Sequence, residues 1–226
     1  MRIPFFYFFD SLYRQNVCFF DLIQFITRQR YYDPNANLCI DGFPRSANSY
    51  AVNLVQTVCP DLKIIHHVHS PVIIKKSIND KILVFVLIRN PEDTVTSEYI
   101  RVKYSGERNQ NIKWLIKRYV KYYEIVKAYV DDVFIVSFET VTQTPVAYLK
   151  YVFSKLDLNI ERDYVEVVNE TRSIGKSKIT EDIIYTTSIP TRERDEYKQH
   201  VKRNIMSKYD FSEANKIFNA LTEKIF

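Results

Sequence analysis

Apolar residues along this chain recur with two different periods. Short apolar runs, Leu38–Phe43, Lys63–His69, Ile82–Arg89 and Val133–Phe138, have the length and β-branched content of buried strands. Between them, Asn48–Val58, Pro91–Tyr104 and the stripe Ile112, Leu115, Ile116, Tyr119, Tyr123, Val126 and Val130 repeat at helical spacing. Strands alternating with helices predict an α/β fold in three layers, a parallel β-sheet flanked by helices. A further helix starts with Thr144 as N-cap and Pro145 at its first position, and buries Val146, Leu149, Val152, Phe153 and Leu156.

Outside this core, Phe19, Phe20, Leu22, Ile23 and Ile26 predict an amphipathic helix running to about Arg30, ahead of a loop over Tyr32–Asn37. The polar, basic stretch Asn169–Thr180 reads as a loop, and two helices, roughly Arg192–Met206 and Ser212–Phe226, finish the chain. No repeat and no low-complexity segment interrupts the pattern. A length of 226 residues suits one domain, 1–226, with its core at about 38–156 and a helical C-terminal part at about 190–226.

With 46% hydrophobic and 26% charged residues, the composition is that of a globular protein rather than a disordered or fibrous one. A formal charge of +5 admits an anionic ligand, but the basic residues are scattered over the helices, and no nucleic-acid partner is expected. Cys18, Cys39 and Cys59 have no metal-ligand spacing and leave one thiol over in any disulfide scheme, so a reducing, cytoplasmic setting is expected. The apolar run Ile3–Phe9 ends at Asp10, far short of the roughly 20 residues that span a bilayer, and lacks a cleavage site of the secretory kind. No transmembrane segment is expected, and nothing in the pattern specifies an oligomeric state.

Gly42, one of three glycines, lies where the first strand gives way to a turn and a helix, a place that calls for a residue able to adopt positive φ. In open α/β sheets phosphate-bearing ligands bind beyond such strand ends. The segment that follows, Phe43-Pro44-Arg45-Ser46-Ala47-Asn48-Ser49-Tyr50, surrounds a helix N-terminus with a guanidinium, hydroxyls and an amide, a set suited to an anion. Read alone, Ser46 or Asn48 could equally be a helix cap and Arg45 a solvated side chain. The G-x-x-x-x-G-K-[ST] pattern of nucleoside-triphosphate loops is absent. In Ile88-Arg89-Asn90-Pro91-Glu92-Asp93-Thr94-Val95-Thr96-Ser97, an arginine ends the third strand and a serine follows about two helical turns on. Together they could grip one phosphate, or Arg89 could simply pair with Asp93.

Both segments resemble those of the sulfotransferases that use 3′-phosphoadenosine 5′-phosphosulfate (PAPS). Pro44–Tyr50 is similar to their sulfate-donor loop, Pro-Lys/Arg-Ser-Gly-Thr/Asn-Thr/Ser-Trp, and Arg89–Asp93 with Ser97 to their 3′-phosphate site. Phe138-Glu139-Thr140-Val141, with Pro145, Leu149 and Phe153, looks like the family's Tyr-Glu-Asp-Leu strand end and the helix after it. The resemblance spans residues 38–156 and implies a P-loop-like nucleotide-binding fold. It implies that Arg45, Ser46, Ala47, Asn48, Ser49 and Tyr50 hold the 5′-phosphosulfate and adenine, and that Arg89 and Ser97 hold the 3′-phosphate. His69, in Ile64-Ile65-His66-His67-Val68-His69-Ser70-Pro71, matches the family's general base, and Arg45 would stabilise charge on the departing phosphate. On a regular strand His67 would share the face of His69, with His66 on the other side. The implied reaction moves a sulfuryl group to a hydroxyl or amine of a small-molecule, carbohydrate or lipid acceptor, and it requires no metal.

Several positions depart from the family pattern. Ala47 stands for a glycine, so the loop must either avoid positive φ or accept strain there. Tyr50 replaces a tryptophan, and Phe138 a tyrosine whose hydroxyl could bond the base. The family's late Arg-Lys-Gly loop has two possible counterparts, Arg172 with Gly175 and Lys176, or Thr191 with Arg192. Alternatives of other classes are a nucleotide or sugar kinase, a nucleotide-binding protein without activity, and a zinc site using His67 and His69.

Overall fold

A computed structural model describes residues 16–18, 21–22, 32–106, 111–177 and 192–225, with the side chains of 175–177 and 192–194 left aside. The predicted N-terminal helix, the apolar run Ile3–Phe9 and Thr191 lie outside these residues or nearly so. In chain order the elements are β1 (Leu38–Gly42), α1 (Asn48–Val58), β2 (Ile64–His66), α2 (Pro71–Asn79), β3 (Leu83–Ile88), α3 (Pro91–Tyr104) and α4 (Ile112–Lys127). They continue with β4 (Phe134–Ser137), α5 (Phe138–Gln143), α6 (Pro145–Lys155), α7 (Tyr164–Ser177), α8 (Arg192–Met206) and α9 (Ser212–Thr222).

The four strands form one parallel sheet in the order β2-β1-β3-β4. Their alternation divides the core in two. Cys39, Val84, Val86, Ile88 and Ile135 face a layer built from α2, α4 and α9. Leu38, Ile40, Phe85, Leu87 and Val136 face a layer built from α1, α6 and α7. Both faces are therefore covered, which is why the strands read as nearly unbroken apolar runs. The fold is the three-layer, P-loop-like α/β arrangement expected from the sequence.

Four readings of the sequence need correction. The segment Asn169–Thr180 is not a loop as far as Ser177, because α7 runs through it, with Val167, Val168 and Thr171 buried at one-turn spacing. Arg172, Gly175 and Lys176 are accordingly helical, and Arg192 opens α8. The last helix stops at Thr222 rather than Phe226, and the stripe in α4 ends at Lys127. Lys63–His69 is a strand only over Ile64–His66, since positive φ at His67 and His69 (59° and 52°) turns the chain out of the sheet. Helices α2 and α5 add to those read from the sequence, α2 opening with Pro71 at its first position. Thr144 does stand at the N-cap of α6, but its hydroxyl donates backward to the Thr140 carbonyl at 3.1 Å instead of capping.

Strand order fixes where a ligand can bind. From β1 the chain crosses to β2 on one side and then returns past β1 to β3 on the other, so the connections leaving β1 and β3 diverge. The crevice beyond the carboxyl ends of β1 and β3 is the topological switch point. Two tyrosines of α4 tie its sides together. Tyr123, fully buried, donates to the Leu87 carbonyl (2.7 Å) and accepts from the Phe43 amide (3.3 Å), while Tyr119 donates to the Arg89 carbonyl (2.8 Å). Gly42 serves the same junction by its size: a Cβ there would sit 2.4 Å from the Leu87 carbonyl oxygen. The positive φ that the sequence suggested for Gly42 is carried instead by Arg45 (73°) and Ala47 (70°).

Candidate functional site

At the end of β1 the chain turns through Phe43–Ala47 and enters α1 with Ala47 as N-cap, in the left-handed region and without a side-chain cap bond. Of the two outcomes open to Ala47, it therefore takes positive φ, at a cost of roughly 1 kcal/mol or more for a residue with a Cβ. Asn48 folds back over the turn, its Nδ2 donating to the Phe43 carbonyl at 3.1 Å. Ser46 is buried completely. Ser49 accepts or donates a 2.7 Å bond with His67 Nε2, and Tyr50 is half-buried against the core on the α1 side. The first turn of α1 thus points at the crevice, where its backbone N–H groups favour an anion.

The β3–α3 junction closes the other side. Asn90 caps α3 by accepting from the Asp93 amide (3.1 Å), and Pro91 takes the first helical position. The arrangement brings the two sequence segments together: Arg45 Nε donates to Ser97 Oγ at 3.1 Å, and Arg89 Nη1 donates to the Arg45 carbonyl at 2.9 Å. Arg89 also lies 3.8 Å above the ring of Phe138. Phe138 begins α5 rather than ending β4, and its ring serves as a platform for a guanidinium, not as a partner for a base. Asp93 does not pair with Arg89. It is bound by Lys198 (2.9 Å) and Lys202 (3.2 Å) of α8, which hold its carboxyl below the usual range against the upward push of burial.

Where β2 ends, three imidazoles gather. The rings of His66 and His67 lie 4.7 Å apart and those of His67 and His69 5.9 Å apart, with His66 Nδ1 and His67 Nδ1 in hydrogen-bond contact. His67 and His69 come together through a turn, so strand alternation does not describe them. His69 Nδ1 is 2.8 Å from the Gly42 carbonyl and 3.4 Å from Oδ1 of Asp41, a completely buried carboxylate. A carbonyl only accepts, so Nδ1 carries the proton and Nε2 is the basic nitrogen. Partial burial, followed by the charges of His66 and His69, lowers the pKa of His67 to about 4. Asp41, an acid inside an otherwise apolar strand, is a residue the sequence reading passed over although its setting was visible.

Beside Ser97 lies a second group that sequence reasoning missed. Glu98, buried, binds Arg101 through two 2.9 Å contacts, and Arg118 lies 5.2 Å from the rings of both Phe43 and Trp114. Burial pushes the Glu98 carboxyl up, but Arg101, Arg118 and Arg45 reverse this and hold it below the usual range. Among the described residues no group of three or more His, Cys, Asp and Glu side chains is placed to hold a metal ion. None of their helices is long and apolar enough to cross a membrane, and the three cysteines are free.

No family model and no curated protein matches this sequence. The fold does have a counterpart among solved structures. The crystal structure of mouse sulfotransferase SULT7A1 complexed with PAP superposes with a TM-score of 0.52 at 12% identity, covering 86% of this chain and 89% of that one. The architecture is therefore sulfotransferase-like, and at this identity the likeness extends to the fold alone.

Proposed function

We propose that the chain is a sulfotransferase that transfers a sulfuryl group from PAPS to a hydroxyl or amine of a small-molecule, carbohydrate or lipid acceptor. The observation that carries this reading is the meeting of Arg45, Ser97 and Arg89 at the switch point. Two guanidinium groups, from the ends of two adjacent strands, and a helix N-terminus between them offer the donors that a nucleotide with two separate anionic groups requires. Arg45, Ser46, Asn48 and Ser49, with the first N–H groups of α1, would face the 5′-phosphosulfate, and Arg89 with Ser97 the 3′-phosphate.

In this reading the acceptor oxygen attacks sulfur as the bond from sulfur to the bridging phosphate oxygen breaks. The electron pair leaves on phosphate, whose growing charge lies nearest Arg45. His69 Nε2 takes the acceptor proton, and Asp41, 3.4 Å from Nδ1, stabilises the imidazolium that results. Calorimetric binding of adenosine 3′,5′-bisphosphate (PAP) beside adenosine 5′-monophosphate (AMP) tests the donor site. PAP should bind the tighter of the two, and Arg89→Ala should cost it about 2 kcal/mol or more. Equal, weak binding of both nucleotides would remove the assignment.

A further inference from the structure

The first turn of α1 and the turn after β2 are joined by a side-chain bond between Ser49 Oγ and His67 Nε2, 2.7 Å long and spanning 18 residues of sequence. Its direction decides what Ser49 can offer a ligand, because a serine hydroxyl has a single hydrogen. If Ser49 spends that hydrogen on His67, it meets the crevice with lone pairs alone, which a phosphate oxygen repels. If His67 is the donor, the Ser49 hydrogen is released toward an anion.

A neighbouring imidazole ties the two choices to its own hydrogen. His66 Nδ1 and His67 Nδ1 are in hydrogen-bond contact, so one of them carries a hydrogen and the other is bare. Burial lowers the pKa of both rings, that of His67 to about 4, and near pH 7 each therefore has one N–H. With the shared hydrogen on His66 Nδ1, the hydrogen of His67 sits on Nε2 and Ser49 accepts it. With the shared hydrogen on His67 Nδ1, Nε2 is bare and Ser49 must donate. The two patterns have the same net charge, and a ligand that only accepts, placed at the first turn of α1, selects the first. His67 keeps its place on a left-handed backbone (φ 59°), a conformation that persists where surrounding structure imposes it and that gathers at ligand sites.

We propose that His67 is a positioning residue for the donor nucleotide: its Nε2–H, set by His66, holds Ser49 as an acceptor and so directs the Ser49 hydroxyl hydrogen onto the 5′-phosphate, the group that receives the leaving electron pair. The inference rests on the donor-site reading above and goes beyond it by assigning the hydrogen on each of three side chains. No proton is transferred along the chain, and His67 acts through Ser49.

Calorimetry of PAP, AMP and adenosine 3′-monophosphate, which lacks the 5′-phosphate, tests this with the wild type, Ser49→Ala, His67→Asn and the double variant Ser49→Ala/His67→Asn. Asparagine tolerates the left-handed backbone, and its amide reaches no further than Nδ1 of the imidazole it replaces. The expected result is PAP affinity about tenfold weaker in Ser49→Ala and about fivefold weaker in His67→Asn, with AMP falling in parallel and adenosine 3′-monophosphate within twofold throughout. In the Ser49→Ala background, His67→Asn should change PAP affinity less than twofold, since a residue that acts through Ser49 then has nothing to act on. A wild type that favours PAP over AMP, with PAP affinity unchanged in His67→Asn or with the fivefold loss persisting in the double variant, overturns the role of His67 while leaving the donor site standing. A wild type that does not distinguish PAP from AMP overturns both.

Discussion

Two junctions at the rim of the crevice are built in opposite ways. Where β3 passes into α3, the turn is shaped first by near neighbours: Asn90 caps, Pro91 presets the first helical φ, and Thr94 Oγ1 donates back to the Asn90 carbonyl at 2.7 Å, with Tyr119 of α4 bonding the Arg89 carbonyl from outside. Where β2 passes into α2, the restraints come from elsewhere. His67 is held by Ser49 of α1, and His69 by the Gly42 carbonyl and Asp41 of β1. The backbone there takes positive φ twice at residues with bulky side chains, which persists only where surrounding structure fixes it. The first junction presents an arginine from a turn whose cap and first helical residues are set locally. The second presents an imidazole from a turn that the rest of the site imposes.

The largest expected effect lies at the imposed junction. Replacing His69 by Ala removes the proposed base and should lower kcat by roughly 100-fold to 10,000-fold, while PAP binding changes less than threefold. Steady-state kinetics with any accepted acceptor, beside calorimetry of PAP, separates the two. A drop in PAP affinity as large as the drop in kcat would mean that His69 shapes the nucleotide site and does not act on the acceptor.

The same contrast explains what was legible in the sequence. The α3 bounds, the cap and the proline follow from neighbours in the chain, as does β3, one residue shorter at each end than read, and so do α1, α8 and the parallel sheet, which patterning alone determines. The three-residue β2 was read too long, because Lys63–His69 looks like a strand until Gly42 and Asp41, more than twenty residues away in sequence, turn it aside. Helix α7 was read as a loop because the stretch from Asn169 is polar to the eye. Among its described side chains, Val167, Val168 and Thr171 are the buried ones, the last bonded back to Val167 and across to Thr57 of α1. Of the candidate site, Arg45, Arg89 and Ser97 were visible as motifs, but their mutual contacts were not. Asp41 was readable as a lone acid in an apolar strand.

Acid should strain the imposed junction first. The folded pKa of His67 is depressed to about 4 from an ordinary value near 6.5, so the unfolded chain binds that proton more readily and stability falls as pH drops through this window. The contribution is complete above pH about 6.5 and lost toward pH about 4. Because part of the ring meets solvent, screening reduces the effect to about 1–2 kcal/mol. Urea midpoints taken from pH 7 to 4.5 should slope less in His67→Asn, which removes the titrating ring yet tolerates a left-handed backbone. Parallel slopes for the two proteins would place the acid sensitivity elsewhere.

The local junction gives the smallest and most confined response. Asn90→Ala removes the bond accepted from the Asp93 amide and nothing beyond the first turn of α3, so the loss should be about 1 kcal/mol, the ordinary value of an N-cap. Urea unfolding should show a lower midpoint with an unchanged m-value, since the exposed surface of neither state alters. The acid slope attributed to His67 should persist unaltered, because Asn90 touches none of the groups around that ring. If Asn90→Ala instead shifted the slope between pH 7 and 4.5, the two junctions would be coupled through the crevice. The arginine end would then depend on the imidazole turn as much as that turn depends on β1 and α1.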